Sequence, residues 1–271
     1  MDKPAKKRNP ILMVVIVALV VMVPFLAWYN SWFGRDLSDG RISEILATGT
    51  DGPEVQHALS RIQMRLQKGD ESATRWRKRI IALTGHELPE VRRMVAWTLG
   101  HDPHETCRVA LKTMLDDADL AARRNAAVAL TKWRDDSGRA VLLKALESIE
   151  VRAPAGGILD LKVREGDAVT TGRDMAIIET ENGGDLSLRP PMNGRVLELA
   201  AEEGDRITSG SIVGTLAPDP ESVFAALKAL FLVGRAEDAA AIEPFARGEV
   251  KYMTPEVTEQ ARKTLEKLRG S

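Results

Sequence analysis

The sequence predicts a multidomain α and β protein: an N-terminal transmembrane helix, then an α-solenoid with an inserted β-barrel. Three observations predict it. Ile11–Tyr29 runs without a charge. Val91–Leu99 returns 31 positions later as Ala122–Leu130. Glu165-Gly166-Asp167 returns 38 positions later as Glu203-Gly204-Asp205.

Residues 1–10 form a basic tail, with Lys3, Lys6, Lys7 and Arg8. The uncharged run that follows, residues 11–29, would rise about 28 Å as a helix, close to the depth of a bilayer core. Trp28, Tyr29, Trp32 and Phe33 cluster at its far end, where an interfacial aromatic belt belongs. Phe25-Leu26-Ala27 places a bulky ring where a cleavage site wants a small residue, which favours an uncleaved anchor over a signal peptide. Positive charge precedes the segment and only Arg35 follows closely. The expectation is a single-pass protein of the inner (cytoplasmic) membrane, N-terminus cytoplasmic and the bulk of the chain periplasmic.

Residues 39–148 read as helices broken by Asp, Gly and Pro. Val55, Ala58, Leu59, Ile62 and Leu66 make the stripe of an amphipathic helix over Pro53–Lys68. Three helices open alike, at Pro53-Glu54-Val55, Pro89-Glu90-Val91 and Pro255-Glu256-Val257. Proline at the first helical position loses no needed N–H, and the glutamate suits the positive end of the helix. In the 31-residue repeat both arginines, an alanine and a leucine are retained: Arg92, Arg93, Ala96 and Leu99 against Arg123, Arg124, Ala127 and Leu130. A helical period near 30 residues means stacked helix pairs. This part resembles a short array of HEAT repeats. Arg139–Glu147, with Ala140, Leu143 and Leu146 on one face, reads as the first helix of a pair. Residues 219–271 resume the helical pattern, with Asp219 as N-cap, Pro220 as first residue, and further helices over Glu237–Arg247 and Pro255–Leu268. The β segment between them is expected to interrupt one helical pair; three domains in series is the other arrangement.

Residues 149–218 hold the doubled motif. A Pro- and Gly-containing entry and a short apolar run precede each copy: Pro154, Gly156, Gly157, then Ile158, Leu161 and Val163; Pro190, Pro191, Gly194, then Val196, Leu197 and Leu199. Each half reads strand, tight turn, strand. One half has too little apolar face to stand alone, so the two should close as a small barrel or sandwich with pseudo-twofold symmetry. The pattern resembles the biotinyl/lipoyl-type barrel-sandwich hybrid, found in swinging-arm domains and in HlyD-like membrane-fusion periplasmic adaptors. That resemblance implies a hairpin between the halves, which in carrier domains bears the modified lysine. Here the hairpin reads Glu179-Thr180-Glu181-Asn182-Gly183-Gly184-Asp185, and no lysine occurs between Lys162 and Lys228. The resemblance therefore implies an unmodified module, with no attached cofactor.

Lys+Arg number 38 and Asp+Glu 39, a net charge of -1, which argues against a nucleic-acid partner. Cys107 is the single cysteine, so no internal disulfide can form. No Gly-rich phosphate loop, Gly-x-Ser-x-Gly or His-Glu-x-x-His occurs. His101, His104 and Cys107, with His86 upstream, have zinc-ligand residue types but no closed four-ligand set; Cys107 also suits a packing role in a helix beginning near Pro103. Asp116, Asp117 and Asp119 read as a solvated turn with an N-cap more readily than as a cation loop. Trp76, Trp97 and Trp133 sit among apolar neighbours, as core residues or as contacts for a partner. Arg75, Arg77, Lys78 and Arg79 form a basic patch, read first as a solvated helix face. No catalytic, cofactor-binding or metal-binding residue is assigned. The sequence points to a non-catalytic, membrane-anchored adaptor or scaffold of a bacterial envelope transport, secretion or assembly complex, with envelope or transporter proteins as partners. The rival is an accessory subunit of a carboxylase or acyl-transfer complex, against which the missing hairpin lysine weighs.

Overall fold

The computed structural model describes residues 20, 22–23 and 37–270. The chain divides into two compact units, Met1–Glu44 and Ile45–Ser271. Helix α1, Asp39–Thr48, begins in the first. The Ser38 hydroxyl accepts from the Arg41 N–H at 3.3 Å at its start.

The second unit holds helices α2 (Gly52–Gln67), α3 (Arg77–Ala82), α4 (Pro89–Leu99), α5 (Glu105–Thr113), α6 (Leu120–Leu130) and α7 (Arg139–Lys144). After eight strands come α8 (Pro220–Val233), α9 (Ala239–Arg247) and α10 (Pro255–Arg269). Three of the longer helices start at an aspartate cap. Asp51 caps α2 through the Glu54 N–H at 3.0 Å, Asp119 caps α6 through Ala122 at 2.8 Å, and Asp219 caps α8 through Ser222 at 2.9 Å.

The helices alternate between two layers. In one, α2 packs on α4, α4 on α6, α6 on α8 and α8 on α10. In the other, α3, α5, α7 and α9 each pack on the helix that follows in their pair. The stack does not stop at the strands. Leu142 and Leu146 from the α7 end share one buried core with Val223, Leu227 and Leu230 of α8 and with Val257, Ala261 and Leu265 of α10. The face of α7 is therefore set by Leu142 and Leu146, whereas Ala140 is exposed. Buried Thr264 donates to the Leu227 carbonyl at 3.0 Å, tying α10 to α8, and Asn125 of α6 donates to the Arg93 carbonyl of α4 at 3.1 Å.

The strands are β1 (Ile149–Arg152), β2 (Gly157–Leu161), β3 (Ala168–Val169), β4 (Ala176–Glu179), β5 (Asp185–Leu188), β6 (Gly194–Leu199), β7 (Arg206–Ile207) and β8 (Ile212–Pro218). They form two antiparallel sheets of four, in the orders β1-β8-β6-β3 and β5-β4-β2-β7. Exchanging the first-half strands for their second-half counterparts converts one order into the other. The Glu-Gly-Asp copies show why. Gly166 and Gly204 both take left-handed backbone, φ +86° and +84°. The Asp167 carboxylate accepts from the Arg164 N–H at 2.9 Å, and Asp205 from Glu202 at 2.8 Å. Glu165 reaches across to the Leu199 N–H at 3.1 Å, and Glu203 to the Leu161 N–H at 2.5 Å. Each motif thus closes its own turn and ties its half to the other. Leu159, Met175, Ile178, Val196, Val213 and Leu216 fill a core separate from that of the helices.

Two expectations are corrected here. The strands do not close into a barrel. β1 and β3 remain as edges of one sheet, β5 and β7 of the other. β3 and β7 are two residues long, which leaves too few backbone groups to carry pairing onward. The expected transmembrane helix at 11–29 lies almost wholly outside the described residues. Among the described residues no helix is long and apolar enough to cross a membrane. The longest, α2 at 16 residues, would rise about 24 Å and carries charges along its length. Single-pass anchoring, the membrane as a partner and the inner-membrane location are accordingly withdrawn.

Candidate protein-interaction surface

The histidines and the cysteine drawn together by sequence spacing are spent on separate local tasks. His86 lies 2.8 Å from the Gly49 carbonyl through Nε2 and accepts from the Leu88 N–H at 3.0 Å through Nδ1. His104 is the N-cap of α5, its Nδ1 accepting from the Thr106 N–H at 3.2 Å, so the helix begins at Glu105 rather than at Pro103. Cys107 is buried in that helix, and burial pushes its thiol up to about 12, which makes it inert as a nucleophile. Among the described residues no group of three or more His, Cys, Asp or Glu converges in a way that would hold a metal ion.

Asp117 and Asp119 of the acidic turn, and Arg77 of the basic patch, turn out to be halves of ion pairs between repeats. Arg92 holds Asp117 with two hydrogen bonds, 2.8 and 2.9 Å, and Arg93 holds Asp119 with two, 2.8 and 2.6 Å. Burial would raise both carboxyls, and the guanidinium groups outweigh it, holding both below the ordinary range. Arg77 holds Asp102 at 2.6 and 2.9 Å. Arg108 and Arg139 follow Arg77 at 31-residue steps. Arg108 reaches Asp135 at 3.2 Å and Arg139 reaches Asp238 at 2.8 Å. Each arginine sits on one helix of the second layer, and each aspartate stands just before the next helix of that layer. This ladder crosses the β module: Arg139 precedes it and Asp238 follows it. Sequence reading missed the ladder. The 31-residue spacing of Arg77, Arg108 and Arg139 was the signal available.

The three tryptophans part company. Trp76 is 1% exposed, with the guanidinium groups of Arg65 and Arg75 at 5.1 and 5.0 Å from its ring centroid. Trp133 is half-buried. Trp97 is 44% exposed at the end of α4. His101 packs edge-on against its ring at 5.4 Å, with Nδ1 2.9 Å from the Trp97 carbonyl. From the next repeat, the Lys132 ammonium lies 6.0 Å over the same ring. Burial lowers the His101 pKa below its ordinary value, against the Trp97 carbonyl, which raises it, and Lys132 lowers it further. The histidine is therefore neutral at pH 7. The result is an amphipathic ring flanked by an imidazole whose free Nε2 accepts and by a donating ammonium, spanning a repeat seam. Such a group binds well at protein surfaces because it offers apolar area at little entropic cost.

Comparison with known proteins agrees with the repeat geometry. A family model described as HEAT repeats matches residues 77–156. The match begins at Arg77, the first arginine of the ladder. No curated protein matches the chain. The HEAT-like part of the expected resemblance thus stands for the helical region. The lipoyl-like and HlyD-like part has no finding behind it, and the open two-sheet architecture removes the barrel on which it was drawn.

Proposed function

We propose that this protein is a non-catalytic scaffold or adaptor that grips partner proteins on its helical-repeat surface. The observation that carries the reading is the exposed Trp97, flanked by His101 and Lys132 from two adjacent repeats. HEAT-like stacks present extended surfaces of this kind to other proteins. The β module supplies a second rigid surface, inserted between the two helices of one pair, α7 and α8. In support, the Arg139–Asp238 pair and the shared core keep the helical register across it.

The test is crosslinking of the full chain in its native cells followed by mass spectrometry, with Trp97→Ala alongside. A partner crosslinked to the wild type and lost from the variant, with thermal stability unchanged, is the expected result. Identical crosslinks from both proteins would remove Trp97 as the anchor, and recovery of abundant unrelated proteins alone would count against a scaffold.

A further inference from the structure

The arginine pairs of the first layer fail where the β module enters. In α4, Arg92 and Arg93 are each held by a carboxylate from the turn before α6, Asp117 and Asp119. Their repeat counterparts in α6 are Arg123 and Arg124, and the turn before α8 should supply the partners. Counting back from the helix cap, the place of Asp119 is taken by Asp219 and the place of Asp117 by Ala217. Ala217 has no carboxylate to offer. Asp219 spends Oδ2 on the Ser222 N–H and hydroxyl, both at 2.9 Å. Among the described residues neither Arg123 nor Arg124 forms an ion pair or side-chain hydrogen bond.

Both arginines instead line a cavity of about 310 Å³ at the root of the module, joined by Lys144 from the end of α7. Glu147 is the one carboxylate on its wall; Asp219 and Asp119 act on Arg124 only at longer range. The rest of the lining is mainly apolar, with Leu120 and Val141 from the helices and Met192 from the module. Burial lowers the Arg124 pKa, and an arginine so placed still keeps its charge. A desolvated guanidinium without a counter-charge is costly, and a bound anion relieves it.

We propose that this cavity binds a small amphiphilic anion, a carboxylate or phosphate monoester on an apolar body, with the head group on Arg124 and Arg123 and the body against Leu120, Val141 and Met192. Lys144, also on the wall, adds charge and offsets Glu147. The volume suits a small molecule and lies at the low end of such sites. This site is independent of the Trp97 surface, so either can stand without the other.

Titration calorimetry of the full chain tests it, with octanoate, octyl phosphate, octanol and inorganic phosphate as probes. Octanoate or octyl phosphate should bind one to one, and the tighter of the two identifies the head group. Octanol and inorganic phosphate, each lacking half of the ligand, should bind at least about tenfold more weakly. Arg124→Gln should weaken the amphiphile by about tenfold or more, the loss of a charge-assisted pair. If that variant does not fold, Val141→Phe, which fills the apolar end, should weaken octanoate while leaving the arginines in place. Failure of both amphiphiles to bind overturns the proposal. So does octanol binding as tightly as octanoate, inorganic phosphate as tightly as octyl phosphate, or full affinity in whichever variant folds.

Discussion

The helical stack and the β module solve the same problem, holding together repeated units that cannot stand alone, with different bonds. In the stack the ties run from one unit to the next through charged side chains: Arg77 to Asp102, Arg108 to Asp135, Arg139 to Asp238. In the β module they run reciprocally between two halves, from a glutamate side chain to the backbone of the opposite half. A linear array can lengthen or accept an insertion, because each tie concerns only neighbours. A reciprocal pair is closed and has no place for a third member. The eight strands fall in the chain between α7 and α8, which still pack on one another. The two bodies also meet at Tyr252, which takes left-handed backbone at φ +63° and lies under the Arg195 guanidinium of β6 at 5.5 Å.

Breaking the longest tie gives the largest expected effect. Asp238 is almost wholly buried and serves both Arg139 and the Arg235 N–H, the latter at 2.8 Å. Asp238→Ala leaves the partly buried Arg139 guanidinium with the exposed Glu237 alone and the Arg235 N–H without its acceptor, and should cost about 2–3 kcal/mol. Chemical denaturation of the full chain measures it. A loss confined to the helices after the module, with the first repeats unchanged in hydrogen exchange, is expected. A loss below about 0.5 kcal/mol, as for an ordinary surface change, would mean that the register across the module is kept by the apolar core alone.

The next test is steric. A Cβ on Gly138 would fall 2.6 Å from the Ala127 Cβ and 2.7 Å from its Cα, and the latter is backbone that cannot turn aside. Gly138→Val should cost about 1–3 kcal/mol by forcing α6 from α7. The corresponding test in the β module is Gly204→Ala. Open space surrounds that position, so the only cost is the left-handed backbone, about 1–2 kcal/mol. Gly166→Ala should cost the same if the halves are equivalent, with the Tyr252 hydroxyl 3.6 Å away in ordinary contact. A much larger loss at Gly166 would show that contact with the stack has made the halves unequal. Thermal unfolding of the two variants side by side decides it.

How much of this could be read from residues depended on whether the determining contact was local. The Pro-Glu-Val openings, the aspartate caps and the glycine turns act within a few residues, and they mark the helices and strands directly. The doubled Glu-Gly-Asp gave two equivalent halves, but closure of a sheet depends on how far pairing extends at its edges, and β3 and β7 stop after two residues. The acidic turn at Asp117 and Asp119 looked solvated because its partners, Arg92 and Arg93, are 25 and 26 residues away. Exposure of Trp97 and burial of Trp76 were equally beyond reach, since both sit in helical patterns of similar polarity. The lack of a carboxylate partner for Arg123 goes with a change at a repeat-equivalent position, Ala217 where the preceding repeat has Asp117, which is visible only once the strands are placed between α7 and α8.

The smallest effect separates the two regions by pH. The Asp135 carboxyl is raised by burial, but hydrogen bonds from Ser137 and Lys112 bring it down to about 2. A folded value below the ordinary 3.8 means that the unfolded chain binds protons first as acid is added. The stabilisation is whole above about pH 4 and disappears as pH falls toward 2. His101 has the same sign at higher pH: burial lowers it below 6.5, so its neutral form favours the folded state above that value and protonation opposes folding below it. Thermal unfolding followed from pH 7.5 downward should therefore show a shallow loss below about pH 6.5 and a steeper one below about pH 4. His101→Gln should erase the first, and Asp135→Asn should reduce the second, which Asp117, Asp119 and Asp238 share because their carboxyls are also held low. Neither change touches the β module, which contains no histidine. If His101→Gln leaves the shallow phase intact, the ring beside Trp97 is already solvated, and the surface it shares with Lys132 is looser than its packing implies.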